Sequence, residues 1–334
     1  MKIETTFTKQ LNIEFPIIMA PMFLVSNEAM ILSAMRNGIA GVFPSLNYRK
    51  ENELSELLKR LNAFNNNCKG TYGVNLIVQK TNPLYEKHLS ICVDNKVPFY
   101  ITSLGNPKHV IEEAHRYGAK VYCDVTNPAH AAKAAENGCD GFIAVSQGAG
   151  GHAGPYPNSL LIPSLKKHFP NIPVIAAGTV TTGKGILSML SLGAAGISIG
   201  TRFIASHEAT VSDDYKNSVV SSGMKDVVLT ERLSGTPCNI INTPYAKKIG
   251  YRQNIFERWL SNNSTTKKYF KMLVQYRGLK KLEQAVKPGN YHNLWCAGQT
   301  VELIDEILSC DEIINKLKDE THQAKTELDT LFDQ

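Results

Sequence analysis

The 334-residue chain has no C-x-x-C pair, no apolar run long enough to span a bilayer and no low-complexity tract. Each absence removes a class of protein. Cys68, Cys92, Cys123, Cys139, Cys238, Cys296 and Cys310 are odd in number and widely spaced. That spacing excludes a zinc ribbon and a disulfide framework, so no metal is expected and a reducing cytoplasm is the expected location. The first apolar stretch, Pro16 to Val25, is broken by Pro21 and follows a polar N-terminus of mixed charge. Neither a signal peptide nor a membrane association is expected from it. What is present, 43% hydrophobic and 20% charged residues, is the composition of an ordinary globular chain with a large core.

The net charge of +6 is unevenly distributed. Ala246 to Lys287 holds eleven Lys and Arg residues against Glu257 and Glu283, so the rest of the chain is slightly acidic. Aromatics lie among these charges, as they do on nucleic-acid surfaces. However, Phe256 and Leu260, and then Tyr269, Leu273 and Tyr276, recur at helical spacing. The expectation is therefore a basic helical cap with its aromatics facing inward, and no nucleic-acid partner.

Upstream of that segment, short β-branched runs alternate with helical ones. Asn106-Pro107 and Asn127-Pro128 open helices that Gly118 and Gly138 close, because Asn caps an N-terminus, Pro suits the first turn and Gly accepts the left-handed end. Candidate strands are Ile17–Ala20, Ala40–Phe43, Thr71–Leu76, Phe99–Thr102, Lys120–Cys123, Gly141–Val145, Val174–Ala177 and Gly196–Ile199. Eight regular βα units without a long break favour a closed (β/α)8 barrel over an open doubly wound sheet. Val301, Ile304, Leu308, Ile314 and Leu317 then continue with helical periodicity, read as packing against the barrel.

In such a barrel the chemistry belongs at the C-terminal strand ends. These ends supply Ala20-Pro21-Met22, Asn75, Asp124, the run Ser146 to Gly154 containing Gly150, Gly151 and His152, then Ala177-Gly178-Thr179 and Gly200-Thr201-Arg202. Glycines after strands seven and eight suit a phosphate, since their N–H groups allow close approach. Gly178 to Gly185 imitates a P-loop, but Gly185 stands where magnesium needs Ser or Thr. Gly148-Ala149-Gly150 lacks the third glycine of a dinucleotide fingerprint. Asp124 and Tyr156 are candidate pocket residues, and Arg202 a candidate phosphate neutraliser. His109, His115 and His130 are read as helix-surface groups away from the strand ends.

Pro16-Ile17-Ile18-Met19-Ala20-Pro21-Met22, Gly73-Val74-Asn75-Leu76, Gly148-Ala149-Gly150-Gly151-His152-Ala153-Gly154, Val174 to Gly178, Gly200-Thr201-Arg202-Phe203 and Trp295-Cys296-Ala297-Gly298-Gln299 occur in the order seen in nitronate monooxygenases. The chain resembles that family, formerly 2-nitropropane dioxygenases, which includes flavin-type enoyl-acyl-carrier-protein reductases. The resemblance implies FMN lined by Ala20, Pro21 and Met22, bonded by Asn75, and held at its phosphate by Gly178, Gly200 and Thr201, with Gly150, Gly151 and Ala177 around it. His152 would be the catalytic group. Many members have Glu where this chain has Gly148. The resemblance further implies a barrel of residues 1–206 and 290–334 with a mainly helical substrate-covering segment, 207–289, inserted after strand eight. Its substrates would be a small nitronate or nitroalkane and O2, and a homo-oligomer is compatible with it. Two other activities stay open: an NAD(P)H-dependent enoyl-thioester reductase whose basic cap receives an acidic carrier protein, and a flavin-binding protein without turnover.

Overall fold

The computed structural model describes residues 2–65, 68–79, 82–233, 235–252 and 294–332. Eight parallel strands pair in chain order: β1 (Ile17–Met19), β2 (Ala40–Pro44), β3 (Thr71–Ile77), β4 (Phe99–Ser103), β5 (Lys120–Val125), β6 (Gly141–Val145), β7 (Val174–Ala177) and β8 (Gly196–Ile199). Strand β8 pairs back onto β1, with Ile197 opposite Ile17, and the sheet closes into the expected barrel. Side chains alternate as strand geometry requires. On β5, Tyr122 points into the barrel while Val121 and Cys123 face the outer helices.

Helices α2 (Glu28–Arg36), α3 (Glu53–Asn65), α4 (Tyr85–Asp94), α5 (Lys108–His115), α6 (Pro128–Glu136), α7 (Asn158–His168) and α8 (Gly183–Ser191) follow the first seven strands. The caps work as their residue types dictate. Asn127 Oδ1 accepts from His130 N–H at 2.9 Å with Pro128 in the first turn, and Gly138 ends the segment at φ 81°. Such an N-cap contributes about 1 kcal/mol.

A short helix ahead of the barrel, α1 (Thr6–Leu11), has a reciprocal Thr5–Thr8 capping box and closes the N-terminal mouth. It inserts Phe7 against Phe99 and Tyr122, with ring centroids 6.2 and 5.7 Å away. Burying such a ring contributes roughly 2–3 kcal/mol. One mouth is thus filled, leaving the C-terminal strand ends for a ligand.

Beyond β8 the chain makes α9 (Thr201–Ile204) and α10 (Asp213–Ser221), an antiparallel pair β9 (Val227–Thr230) and β10 (Cys238–Ile241), and α11 (Pro244–Ile249). The described part of the inserted segment therefore contains sheet as well as helix. Phe256, Leu260, Tyr269, Leu273, Tyr276 and most of the basic run lie outside the described residues. The chain returns at Leu294, stacks Trp295 on Tyr215 at 5.3 Å, and reaches the barrel mouth through Cys296 to Gly298.

A last helix, Cys310–Phe332, packs against α8 and α2 and fills the eighth helix position. Asp311 accepts from Ser33 Oγ and Asn37 Nδ2, and Glu320 accepts from Gly183 N–H at 2.8 Å. The expected helical continuity from Val301 does not extend through Leu308. Gln299–Leu303 is a 3-10 turn, and Leu308 bridges to Ser206 in extended form.

Candidate active site

The open mouth holds a cleft of about 700 Å³. Its walls bring together Ala20, Pro21, Met22, Asn75, Asp124, Gly150, Gly151, His152, Ala177, Gly178, Gly200 and Thr201. Tyr156 does not join them. It is 42% exposed, and its carbonyl accepts Gln147 N–H at 2.9 Å, so it anchors the loop from outside. Arg202 also turns away, donating to the carbonyls of Ala205 at 3.3 Å and Glu306 at 3.1 Å. Its charge ties α9 to the returning chain at Glu306 instead of facing the glycine corner. Lys184, the lysine of the imitation P-loop, pairs with Glu327 at 2.7 Å.

The turn after β1 is fixed by Ser26, whose hydroxyl accepts from Met22 N–H at 2.9 Å and donates to the Ala20 carbonyl at 3.3 Å. Asn47 locks the same turn by accepting Leu24 N–H at 2.9 Å. Ala20, Pro21 and Met22 thereby form one apolar wall. Asn75 faces it from β3. Its Nδ2 donates to the Ile101 carbonyl at 3.1 Å and to Ser103 Oγ at 2.8 Å. A carbonyl can only accept, which fixes the amide's orientation and leaves Oδ1 as the atom available to a ligand N–H. Ser103 Oγ in turn donates to Asp124 Oδ2 at 2.5 Å. Burial raises the Asp124 carboxyl to about 6, the Ser103 bond opposing it. Asp124 lies within β5, not after it.

The loop after β6 is held from outside the barrel. Asn239 on β10 donates to the carbonyls of Gln147 and Ala149, both at 2.8 Å, and Ala153 N–H reaches Pro237 O at 3.1 Å. These bonds place Gly151–His152, a two-residue extended segment, along the cleft. His152 keeps solvent-exposed surface there, yet protein atoms crowd the ring enough that desolvation lowers its pKa, favouring neutral imidazole.

The glycines of the corner have different causes. A Cβ on Gly148 would sit 2.1 Å from the Thr179 methyl, so that methyl occupies the room a longer residue at 148 requires. Thr179 itself has φ 63°, a strained value for a β-branched residue. Asn158 holds it there by donating to Gly178 O at 2.6 Å and Thr179 Oγ1 at 3.1 Å. Gly178 has φ 92° and packs on Ala149 N. Gly200 differs, since a Cβ there would meet only ordinary contacts with Ala20 and Met22 at 3.5–3.7 Å. The protein's own packing among the described residues does not require that glycine, whereas a ligand group lying against the backbone would. Neither the Gly200 nor the Thr201 N–H is taken by an acceptor among the described residues. The Thr201 hydroxyl accepts from Gly298 N–H at 3.0 Å, tying the returning segment to the corner. An apolar wall, an oriented amide acceptor and a backbone corner with free N–H groups fit a flat phosphorylated cofactor.

His130 is at the cleft after all. It occupies the first turn of α6, which begins at the open mouth, and its Nδ1 lies 3.0 Å from Thr126 Oγ1. Lys133, one turn on, also lines the cleft and makes no ion pair among the described residues. Asn239 and Asn158 have no local signal in the sequence, and Cys296 enters only as part of the Trp295 to Gln299 run. Ser103 did, since it ends β4 as Asn75 and Asp124 mark β3 and β5.

Fold and cleft together define a (β/α)8 barrel whose C-terminal mouth is shaped for a flat, phosphate-bearing cofactor. The nitronate monooxygenase profile matches residues 42–320, and the chain belongs to that family of flavin-dependent oxidoreductases. It is 26% identical to a (3aS,4S,5R,7aS)-5-hydroxy-7a-methyl-1-oxo-octahydro-1H-indene-4-carboxyl-CoA dehydrogenase of Mycobacterium tuberculosis, over 95% of this chain and 96% of that one. A probable nitronate monooxygenase of Staphylococcus saprophyticus is 25% identical, over 95% of this chain and 98% of its own. The solved structure of FabK from Thermotoga maritima superposes with a TM-score of 0.84 at 28% identity, covering 98% of this chain and 99% of that one. Among the described residues no helix is long and apolar enough to cross a membrane, and no group of three or more metal-binding side chains forms.

Proposed function

We propose that the protein is an FMN-dependent nitronate monooxygenase, oxidising small alkyl nitronates and nitroalkanes with O2 to a carbonyl compound and nitrite. One O2 serves two nitronates, giving one oxygen atom to each carbonyl product. FMN, when bound, supplies the electron-accepting chemistry. Ala20, Pro21 and Met22 would line its ring, Asn75 Oδ1 would accept a ring N–H, and the backbone of Gly178, Gly200 and Thr201 would take its phosphate. The observation that carries the reading is His152 in the cleft with its neutral form favoured. A neutral ring nitrogen takes the proton from a nitroalkane α-carbon, and the resulting imidazolium pairs with the nitronate.

A second reading, reduction or oxidation of an acyl thioester with a nicotinamide partner, is favoured by one feature of the cleft. It extends to His130 and Lys133, a cation without an ion pair among the described residues and suited to a phosphate on a thioester carrier. The Mycobacterium tuberculosis relative is named for a CoA substrate of that kind. The two are separated by anaerobic titration of the yellow protein with propionate 3-nitronate and, separately, NADH. Bleaching by the nitronate alone supports the monooxygenase, bleaching by NADH alone moves the assignment to the thioester enzyme, and a protein that takes up no FMN rejects both.

A further inference from the structure

Asn75, Ser103 and Asp124 stand on three adjacent strands and form an unbroken chain of hydrogen bonds running from the cleft wall to a carboxyl. With Asp124 ionised, the direction of every hydrogen in it is determined. Asn75 Nδ2 is anchored on Ile101 O and Ser103 Oγ, and Ser103 gives its single hydrogen to Asp124 Oδ2. We propose that Asp124 and Ser103 are positioning residues that set, through Asn75, the strength of the acceptor presented to the flavin ring, so that the ionisation of Asp124 tunes cofactor binding. The proposal rests on the FMN reading above and deepens it at a place where the sequence offered only three separate polar residues.

An ionised Asp124 accepts strongly from the Ser103 hydroxyl and makes Ser103 Oγ more electron-rich. That in turn polarises the Asn75 N–H and leaves Asn75 Oδ1 a better acceptor, since bonds in such a chain strengthen one another. Protonation reverses the last link. A neutral carboxyl can donate to Ser103 Oγ, which frees the Ser103 hydrogen and removes the polarisation. Of the side chains that line the cleft with Asp124, the titratable or charged ones are Cys123 on its own strand, His130 and Lys133 on α6, His152 on the loop after β6, Tyr215 on α10 and Cys296 on the returning segment. No cation among them offsets its burial, and its carboxyl titrates near 6, where the switch can be read.

The test is FMN binding to the flavin-free protein, followed by fluorescence quenching between about pH 5 and pH 8 for wild type, Asp124→Asn and Ser103→Ala. The phosphate of FMN titrates in the same range, so the informative quantity is the ratio of variant to wild-type Kd at each pH. That ratio is expected near one at the acid end and about five-fold at the alkaline end for Asp124→Asn, the size of one hydrogen bond's contribution, and it should rise toward the alkaline end for Ser103→Ala from an acid value already above one, because that variant lacks the Asn75 anchor at every pH. Ser103→Thr, which keeps the hydroxyl, should restore the wild-type profile. A ratio that stays constant across the range, or an Asp124→Asn profile that follows wild type, overturns the relay while leaving the FMN assignment standing. A wild-type protein that binds no FMN overturns the assignment and the relay together.

Discussion

Asp124→Asn should make the flavin-free protein more stable at neutral pH, because Asp124 is the only carboxylate lining the cleft among the described residues and burial opposes its charge. The folded value lies above the ordinary 3.8, at about 6. A group raised in this way contributes its stability fully below the unfolded value and loses that contribution as pH climbs through the folded one. Two units at about 1.4 kcal/mol each set an upper bound of about 3 kcal/mol on the loss. Asn keeps the shape and still accepts from Ser103, so the gain should appear undiminished by a broken bond. In a chain of this length about 3 kcal/mol corresponds to roughly 4 °C in Tm. Urea unfolding of both proteins from about pH 4 to pH 8 measures the difference, which should start near zero and reach its plateau above pH 6. A difference independent of pH, or a variant less stable than wild type at pH 7.5, would refute the account of Asp124 as a half-buried carboxyl whose desolvation outweighs its Ser103 bond. The measurement must use flavin-free protein, since a bound ligand adds its own stabilisation.

His152→Ala should keep FMN and lose about 10²–10⁴-fold in turnover of a nitroalkane, with less loss on a pre-formed nitronate; full activity on the nitroalkane removes its role. Asn239→Ala deletes two bonds to the histidine loop and should cost about 1–3 kcal/mol. It should also lower kcat more than it weakens FMN, and equal effects on both would place Asn239 outside that positioning role. Gly148→Ala should destabilise by about 1–3 kcal/mol through the Thr179 methyl. Thr179→Gly in the same chain should recover most of that loss in denaturant melts, and failure of the pair to recover would show that the contact is not the cause.

The barrel was legible because its evidence is local and repeated. Each strand has its own β-branched run and several helices carry their own Asn, Pro and Gly punctuation, so the observed strand ends depart from expectation by only a residue or two. The plug α1 was less visible, although Thr5 and Thr8 have capping spacing, because six residues of mixed composition carry little periodicity. His130 was misplaced for a geometric reason. A helix that follows a barrel strand starts at the open mouth, so its first turn belongs to the site and only its later turns recede. Arg202 is legible by its charge alone: of the two carbonyls that claim it, Ala205 is local, whereas Glu306 comes from a return path with no local signature.

The site divides along the same line. Residues at strand ends fall in the cleft by topology, which is why Ala20, Asn75, Gly178 and Gly200 could be named from order alone. What makes them specific is cross-strand pairing, which no linear spacing encodes. Asn75 reads as an amide able to donate or accept until Ile101 O and Ser103 Oγ take its hydrogens, after which only the acceptor remains. Gly148 reads as a missing carboxylate until the Thr179 methyl is found in the space a side chain there would need. The departure from the family pattern is therefore not a vacancy beside the glycine corner but a repacking of it. Thr179, strained and held by Asn158, fills the place, so a side chain at position 148 could enter the corner only if Thr179 gave way.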